Sequence, residues 1–173
     1  MQGKIGRDTF VNIYSIIDFL EKYSFSDHAI IEVSRTCYLL QREKKIFEYY
    51  PKYLSGTRQS DIGVLLGWSQ GLVSILFANC RMKMKFFKEW FSDDIRSICD
   101  SARSVCTPRE WSVIEKLMAG IKMVDVAKEF KCTKFNICLL TKSGISKLKR
   151  KNKEAYDKIY KLLSFIKILK SRV

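Results

Sequence analysis

Gln70 and Asn136 carry the most pointed recognition chemistry in the chain. Each carboxamide can donate and accept together, which is what reading an adenine edge in a DNA groove requires. Ser69, Ser74 and Thr133 stand close by with hydroxyls suited to phosphate or mixed contacts. Arg81, Lys83 and Lys85 follow the first group, and Lys134, Lys142, Lys147, Lys149 and Arg150 surround and follow the second, as cations that can meet phosphates. Catalytic groups form no comparable set. There is one histidine, His28, with no paired-carboxylate motif and no Ser–Lys or Cys–His arrangement in a glycine-rich turn. An enzyme would have to assemble its site from unmarked residues. The cysteines, Cys37, Cys80, Cys99, Cys106, Cys132 and Cys138, form no CxxC pair, and His28 stands apart from them, which disfavours a zinc site. No catalytic residue, metal or cofactor is therefore expected. Cys80, Cys132 and Cys138 fall at apolar helical positions and read as small buried hydrophobes.

The elements that must position these groups are repeated. Residues 59–76 and 123–140 carry one pattern at an offset of 64 residues, and each reads as a short helix, a tight reversal and a second helix, a helix-turn-helix. Close crossing of two helices needs a very small side chain, which Gly63 and Ala127 supply. Ile62, Leu65 and Leu66 in the first copy, and Val126 and Phe130 in the second, share one helical face and would form a local core. Gly67 suits the left-handed reversal; Lys131 stands there in the second copy and would cost about 1 kcal/mol if the dihedral is kept. Ser69 and Thr133 sit where an N-cap is wanted, and Val73 with Leu76, or Ile137 with Leu140, turn inward at helical spacing. The second helices would cover roughly 69–79 and 133–147. Ser69, Gln70, Gly71, Ser74 and Ile75 would face outward in the first, and Lys134, Phe135, Asn136, Cys138, Leu139 and Lys142 in the second.

Around the repeat the chain reads as all-helical. It holds 173 residues, only two prolines, Pro51 and Pro108, and no sustained apolar–polar alternation of the kind a sheet needs. Residues 8–23 open on a capping Asp8 and are apolar over most of a helical circumference, so they must be buried under the first motif or against another copy of the chain. Further helices are expected from Ser26, carrying Ala29, Ile30, Val33, Cys37 and Leu40 on one stripe, and over 41–53, where Pro51 kinks the segment or begins a new turn. Thr107, Pro108 and Glu110 spell a capping box with proline in the first turn, opening a helix that ends at Gly120. From 142 to 173 there are eleven Lys or Arg against Glu154 and Asp157, interleaved with Tyr156, Ile159, Tyr160, Leu162, Leu163, Phe165, Ile166, Ile168 and Leu169. That is a basic amphipathic helix. Three segments follow: 1–91, N-terminal helices with the first motif; 92–106, a helical connector; and 107–173, the second motif with the basic helix.

Charge narrows the partners. Lys and Arg total 32 against 18 Asp and Glu, a net charge of +14, which favours a polyanion, nucleic acid before an anionic membrane. No apolar run of spanning length or N-terminal signal pattern is present, so a membrane location is not expected and a reducing cytoplasm is.

Residues 107–120 followed by 124–130 resemble the LuxR-type helix-turn-helix and the related region 4 of bacterial sigma factors, with their Thr-Pro-Arg-Glu opening, scaffold helix and glycine turn. Residues 41–56 with 59–76 are similar to sigma region 4 as well. The resemblances cover roughly 41–88 and 107–150. They imply a sequence-specific, double-stranded DNA-binding transcriptional regulator of bacterial or phage type, using one or both motifs. They imply as the alternative a protein-interaction module that holds RNA polymerase or another regulator, with a homodimer through the N-terminal helices as a further expectation. One departure is visible: the first copy carries no cation between Gln59 and Asn79, whereas recognition helices of these families usually present several. The first copy keeps a polar reading face, and the second has an apolar outer face that a partner could cover.

Overall fold

Local capping decides where most helices begin. In the computed structural model, which describes residues 5–171 and their side chains as far as Lys167, Ser26 Oγ accepts from the Ala29 amide at 3.3 Å, and Thr107 and Glu110 close the expected capping box. Among the described residues there is no strand. One 3-10 turn, Arg7–Thr9, precedes α1 (Ile13–Lys22), α2 (Asp27–Cys37), α3 (Gln41–Phe47), α4 (Tyr50–Leu54), α5 (Gln59–Leu66), α6 (Gln70–Trp90), α7 (Ile95–Val105), α8 (Pro108–Met118), α9 (Met123–Glu129), α10 (Lys134–Lys151) and α11 (Lys153–Ser171). The chain is all-α. One expected start needs correction, and the alternative left open at Pro51 is decided. Asp8 lies in the 3-10 turn, and α1 is capped instead by Asn12, whose Oδ1 accepts from the Ser15 amide at 3.0 Å while Ser15 Oγ returns the contact. Pro51 sits in the first turn of α4, where its missing N–H costs nothing, and so it starts a helix.

The corners α5–α6 and α9–α10 repeat bond for bond. The Trp68 amide donates to Gly63 O at 2.8 Å and the Gly67 amide to Val64 O at 3.3 Å; 64 residues on, Cys132 donates to Ala127 O at 3.0 Å and Lys131 to Lys128 O at 3.2 Å. Both are Schellman closures, which satisfy the last carbonyls of the first helix. The reversal requires a left-handed residue, and the backbone enforces it even without glycine: Gly67 has φ 68° and Lys131 φ 50°. We expect Lys131→Gly to raise stability by about 0.5 to 1 kcal/mol, because relief of the left-handed strain outweighs the entropy glycine adds to the unfolded chain; urea unfolding measures this. At the first crossing α5 and α6 meet at 105°. A Cβ on Gly63 would lie 2.6 Å from Trp68 O, so that crossing has no room for alanine without movement. Ser69 and Thr133 cap the second helices in the same way, each accepting from the amide three residues on at 3.2 Å.

Three apolar clusters follow from this arrangement. Ile62, Val73, Leu76 and Phe77, roofed by Tyr50, Tyr53 and Trp68, fill the first corner; Val113, Leu117, Val126 and Ile137, with Phe130 and Leu140, fill the second. Leu65 departs from the expected inward face: it is 63 % exposed, because an eight-residue helix leaning on one neighbour buries only a narrow stripe. The largest cluster joins everything else. It takes Ile13, Ile16, Ile17 and Leu20 of α1, the C-terminal part of α6 through Phe87 and Trp90, Ile95, Ile98, Cys99 and Ala102 of α7, and Ala155, Ile159, Leu162 and Ile166 of α11. Phe86 stacks on Phe165 at 3.7 Å, and Trp90 Nε1 donates to Lys158 O at 2.9 Å, locking α6 to α11. Ile168 and Leu169, expected on the same apolar face, lie outside the described side chains.

The repeat extends beyond the corners. α6 packs on α2, α3 and α5, and α10 packs on α7, α8 and α9. α3 with α4 spans 41–54 where α8 spans 108–118, and the added length is absorbed by the break at Glu48 and Tyr49. α1 packs on α2, α7 and α8, bridging the two sets. Its buried apolar stripe, Ile13, Ile16, Ile17 and Leu20, is thus used within the chain.

Candidate nucleic-acid interface

The repeat also fixes one buried carboxylate and one lysine in each set. Glu43, in the first turn of α3, takes the Leu40 amide at 2.8 Å and pairs with Lys83 of α6; Glu110, in the first turn of α8, takes the Thr107 amide at 2.9 Å and pairs with Lys147 of α10 at 2.9 Å. Lys83 and Lys147 are again 64 residues apart. The first pair is sealed, with side-chain exposures of 1 % for Lys83 and 2 % for Glu43. Lys83 therefore does not belong to a phosphate-binding surface, contrary to expectation: its ammonium faces Glu43 and Tyr38 O inside the fold. Lys147 is half-buried and committed to both Glu110 oxygens, at 2.9 and 3.0 Å. Both are anchors of the long helices. Recurrence at the 64-residue offset does not single them out, since Lys85 and Lys149 recur likewise and are exposed.

Burial pushes the Glu110 carboxyl upward, but hydrogen bonds from Ser143 Oγ at 2.7 Å, Lys147 Nζ and the Thr107 amide outweigh it and bring the pKa down to about 2. A depressed carboxylate stabilises the fold above its ordinary pKa and loses that contribution as the proton returns. Stability should fall between about pH 5 and about pH 2 by on the order of 2 to 3 kcal/mol through this group, and Glu110→Gln should flatten that part of the profile. Urea midpoints across this range, for both proteins, read it out.

The remaining expected site residues are at the surface. Ser69, Gln70 and Ser74 are exposed on the first turns of α6, with Arg81 and Lys85 exposed farther along it. Thr133, Lys134 and Asn136 are exposed at the start of α10, and Lys142, Lys149 and Arg150 along its length. Phe135, Leu139, Lys142, Ser146 and Lys149 recur at helical spacing as one outer stripe of α10, apolar first and cationic after.

The two corners differ in what they offer. From Ile121 to Lys142 the second carries Lys122, Lys128, Lys131, Lys134 and Lys142 against Asp125 and Glu129, all exposed. Lys122 and Lys128 are the basic residues that motif reasoning passed over, because they lie at the start of α9 and within it and not on the expected reading helix. From Gln59 to Asn79 the first corner has one ionic side chain, Asp61, and shows Val64 at 82 %, Leu65 at 63 % and Ile75 at 59 % exposure. The first corner thus shows apolar surface where a polar reading face was expected, and the second shows the apolar outer face expected of it, with Phe135 69 % and Leu139 48 % exposed.

Burial pushes the thiols of Cys80 and Cys99 up to about 12, so both behave as small apolar groups. Cys132 and Cys138, expected to be buried, are only partly so. Among the described residues no three His, Cys, Asp or Glu side chains are arranged to hold a metal ion, and no single helix is long and apolar enough to cross a membrane. Compared with family models, curated proteins and solved structures, the chain matches none.

Proposed function

We propose that the chain is a sequence-specific, double-stranded DNA-binding transcriptional regulator that engages DNA through α9–α10 as a helix-turn-helix. The observation that carries this reading is the capped start of α10: Thr133 fixes the helix end, Lys134 and Asn136 stand exposed in its first turn, and lysines surround it. An exposed helix of this kind can lie in a major groove with its N-terminal residues at base edges while cations meet the flanking phosphates. α5–α6 is a second helix-turn-helix of the same construction, and its 105° crossing falls in the range such pairs adopt. Selection of duplexes from a randomised pool tests sequence specificity. A shared motif should emerge, and Asn136→Ala should relax one position of it while Lys149→Gln weakens all sequences alike; enrichment of no motif contradicts base readout.

A second reading is favoured for α5–α6 by its own surface. With one ionic side chain and Val64, Leu65 and Ile75 open to solvent, this corner fits a protein contact, RNA polymerase or another regulator, better than a phosphate backbone. The two readings divide the labour: α9–α10 on DNA, α5–α6 toward protein. Gln70→Ala separates them, since it should leave the selected DNA motif unchanged if the first corner does not read bases.

A further inference from the structure

A cleft of about 760 Å³ lies where the two helical sets meet, between the segment before α1, the α2–α3 junction and the α8–α9 turn. Its edges are held together by specific contacts. Arg7 reaches across to donate to Ala119 O at 2.8 Å and to Cys37 Sγ at 3.1 Å, Tyr38 Oη donates to Met118 O at 2.7 Å, and Gly120 has φ 77° with its would-be Cβ 2.6 Å from Cys37 O. Arg7, Lys44 and Lys122 line this cleft as cations, in addition to Lys116, which is paired with Glu129.

None of the three has a carboxylate partner among the described residues. Lys44 donates only to Thr36 O at 3.3 Å, and burial, then the Arg35 and Arg7 charges, lowers its pKa. The Cys37 thiol does not neutralise Arg7, because burial pushes its pKa up to about 12 in spite of that guanidinium. Of the acids in the lining, Glu129 is taken by Lys116 at 2.8 Å and Asp125 lies 4.0 Å from Lys128, leaving Asp8 at the rim. Like charges gathered in a concave, partly dehydrated wall lower each other's stability unless an anion joins them. Phe10, Val11, Leu39 and Ile121 give the same cleft an apolar side, and its volume falls in the range of small-molecule sites.

We propose that this cleft binds a small phosphorylated molecule, its phosphate held by Arg7 and Lys44 with Lys122 in the same lining and its organic body against the apolar residues. The Arg7 terminal nitrogens already donate to Phe10 O, Cys37 Sγ and Ala119 O, so the guanidinium contributes its charge and remaining N–H groups beside the Lys44 ammonium, a pairing that attracts a dianionic phosphate. A DNA duplex is too broad to follow. The cleft includes no residue of α10, although it shares Lys122 and part of α9 with the unit proposed to meet DNA.

The test is titration of the ¹⁵N-labelled full chain with adenosine 5′-monophosphate and, separately, inorganic phosphate, against chloride at equal ionic strength. Amide shifts at Cys37, Gly120 and Ile121 are expected to saturate with the nucleotide. Lys44→Gln should weaken binding about tenfold, the effect of losing one charge-assisted hydrogen bond, while Lys22→Gln on α1 leaves it unchanged. Arg7→Gln should do the same as Lys44→Gln, but Arg7 also ties the α8 end in place, so Lys44→Gln decides where Arg7→Gln fails to fold. Shifts confined to α10, an equal response to chloride, or an unaltered affinity in Lys44→Gln would overturn the assignment. Displacement of the nucleotide by a short DNA duplex, or equal cleft shifts with citrate, would overturn the small-phosphate class.

Discussion

Glu43→Ala is expected to destabilise the fold by about 3 to 5 kcal/mol, with the double variant Glu43→Leu, Lys83→Met recovering most of the loss. The carboxylate and ammonium are each almost wholly excluded from water, so removing one leaves the other as an uncompensated buried charge. Removing both exchanges a costly desolvated pair for apolar volume beside Leu39, Ile46 and Cys80, which already form the local core. Lys83→Met alone should also be destabilising, through unpaired Glu43, without weakening DNA binding by the fraction that stays folded. That separates an anchor from a phosphate contact. Equilibrium urea unfolding of the parent, Glu43→Leu, Lys83→Met and the variant carrying both closes a double-mutant cycle, and additive losses in it would mean that the two side chains do not act as a pair.

Lys134→Gln combined with Lys142→Gln is expected to produce the largest loss of DNA affinity. Both lysines are exposed on α10, and neither makes an ion pair among the described residues. Each phosphate left without its lysine should lower the slope of log affinity against log salt by about 0.9 and reduce affinity roughly tenfold near 0.1 M salt. The double variant should therefore bind on the order of a hundredfold more weakly at that salt, with unfolding midpoints close to the parent's because exposed, unpaired lysines contribute little to stability. Leu65→Ser with Ile75→Ser gives the contrasting case: DNA affinity unchanged, and loss of any protein partner that the first corner holds. Anisotropy of a labelled duplex distinguishes the two double variants. Equal losses from both would place DNA on both corners.

The parts of this fold that could be read from sequence are those in which a few neighbouring residues decide the outcome. Thr107 and Glu110 specify a capping box within four positions, and Gly67 with Ser69 specifies a reversal and a cap within three, so helix starts and corners were legible. Lys131 shows how far the pattern reaches: the second corner keeps the left-handed turn without the residue that makes it easy, because two backbone hydrogen bonds hold it there. What was illegible depends on residues far apart. Lys83 looked like one more cation in a basic stretch until Glu43, forty positions earlier, was placed against it. Leu65 looked like core because two turns of helix give too short a sample of a stripe to separate an inner from an outer face. α1 looked free to pair with another copy because its partners α7 and α8 lie more than seventy residues on. Within the candidate interface, Gln70, Asn136 and the lack of cations on the first corner were legible from residue type and helical phase, whereas the burial of Lys147 against Glu110 and the exposure of Leu65 needed the structure.

The direct test of the central claim is a salt titration of the wild-type chain on duplex DNA, following anisotropy from about 50 to about 300 mM potassium chloride. With Lys134, Lys142, Lys149 and Arg150 exposed on α10 and Lys128 beside it, four or five neutralised phosphates predict a log–log slope near −4. A steep line of that order, made shallower by about 2 in Lys134→Gln, Lys142→Gln, is the expected result. A flat response, or a steep one that the α10 substitutions leave unchanged, would contradict DNA binding through this helix.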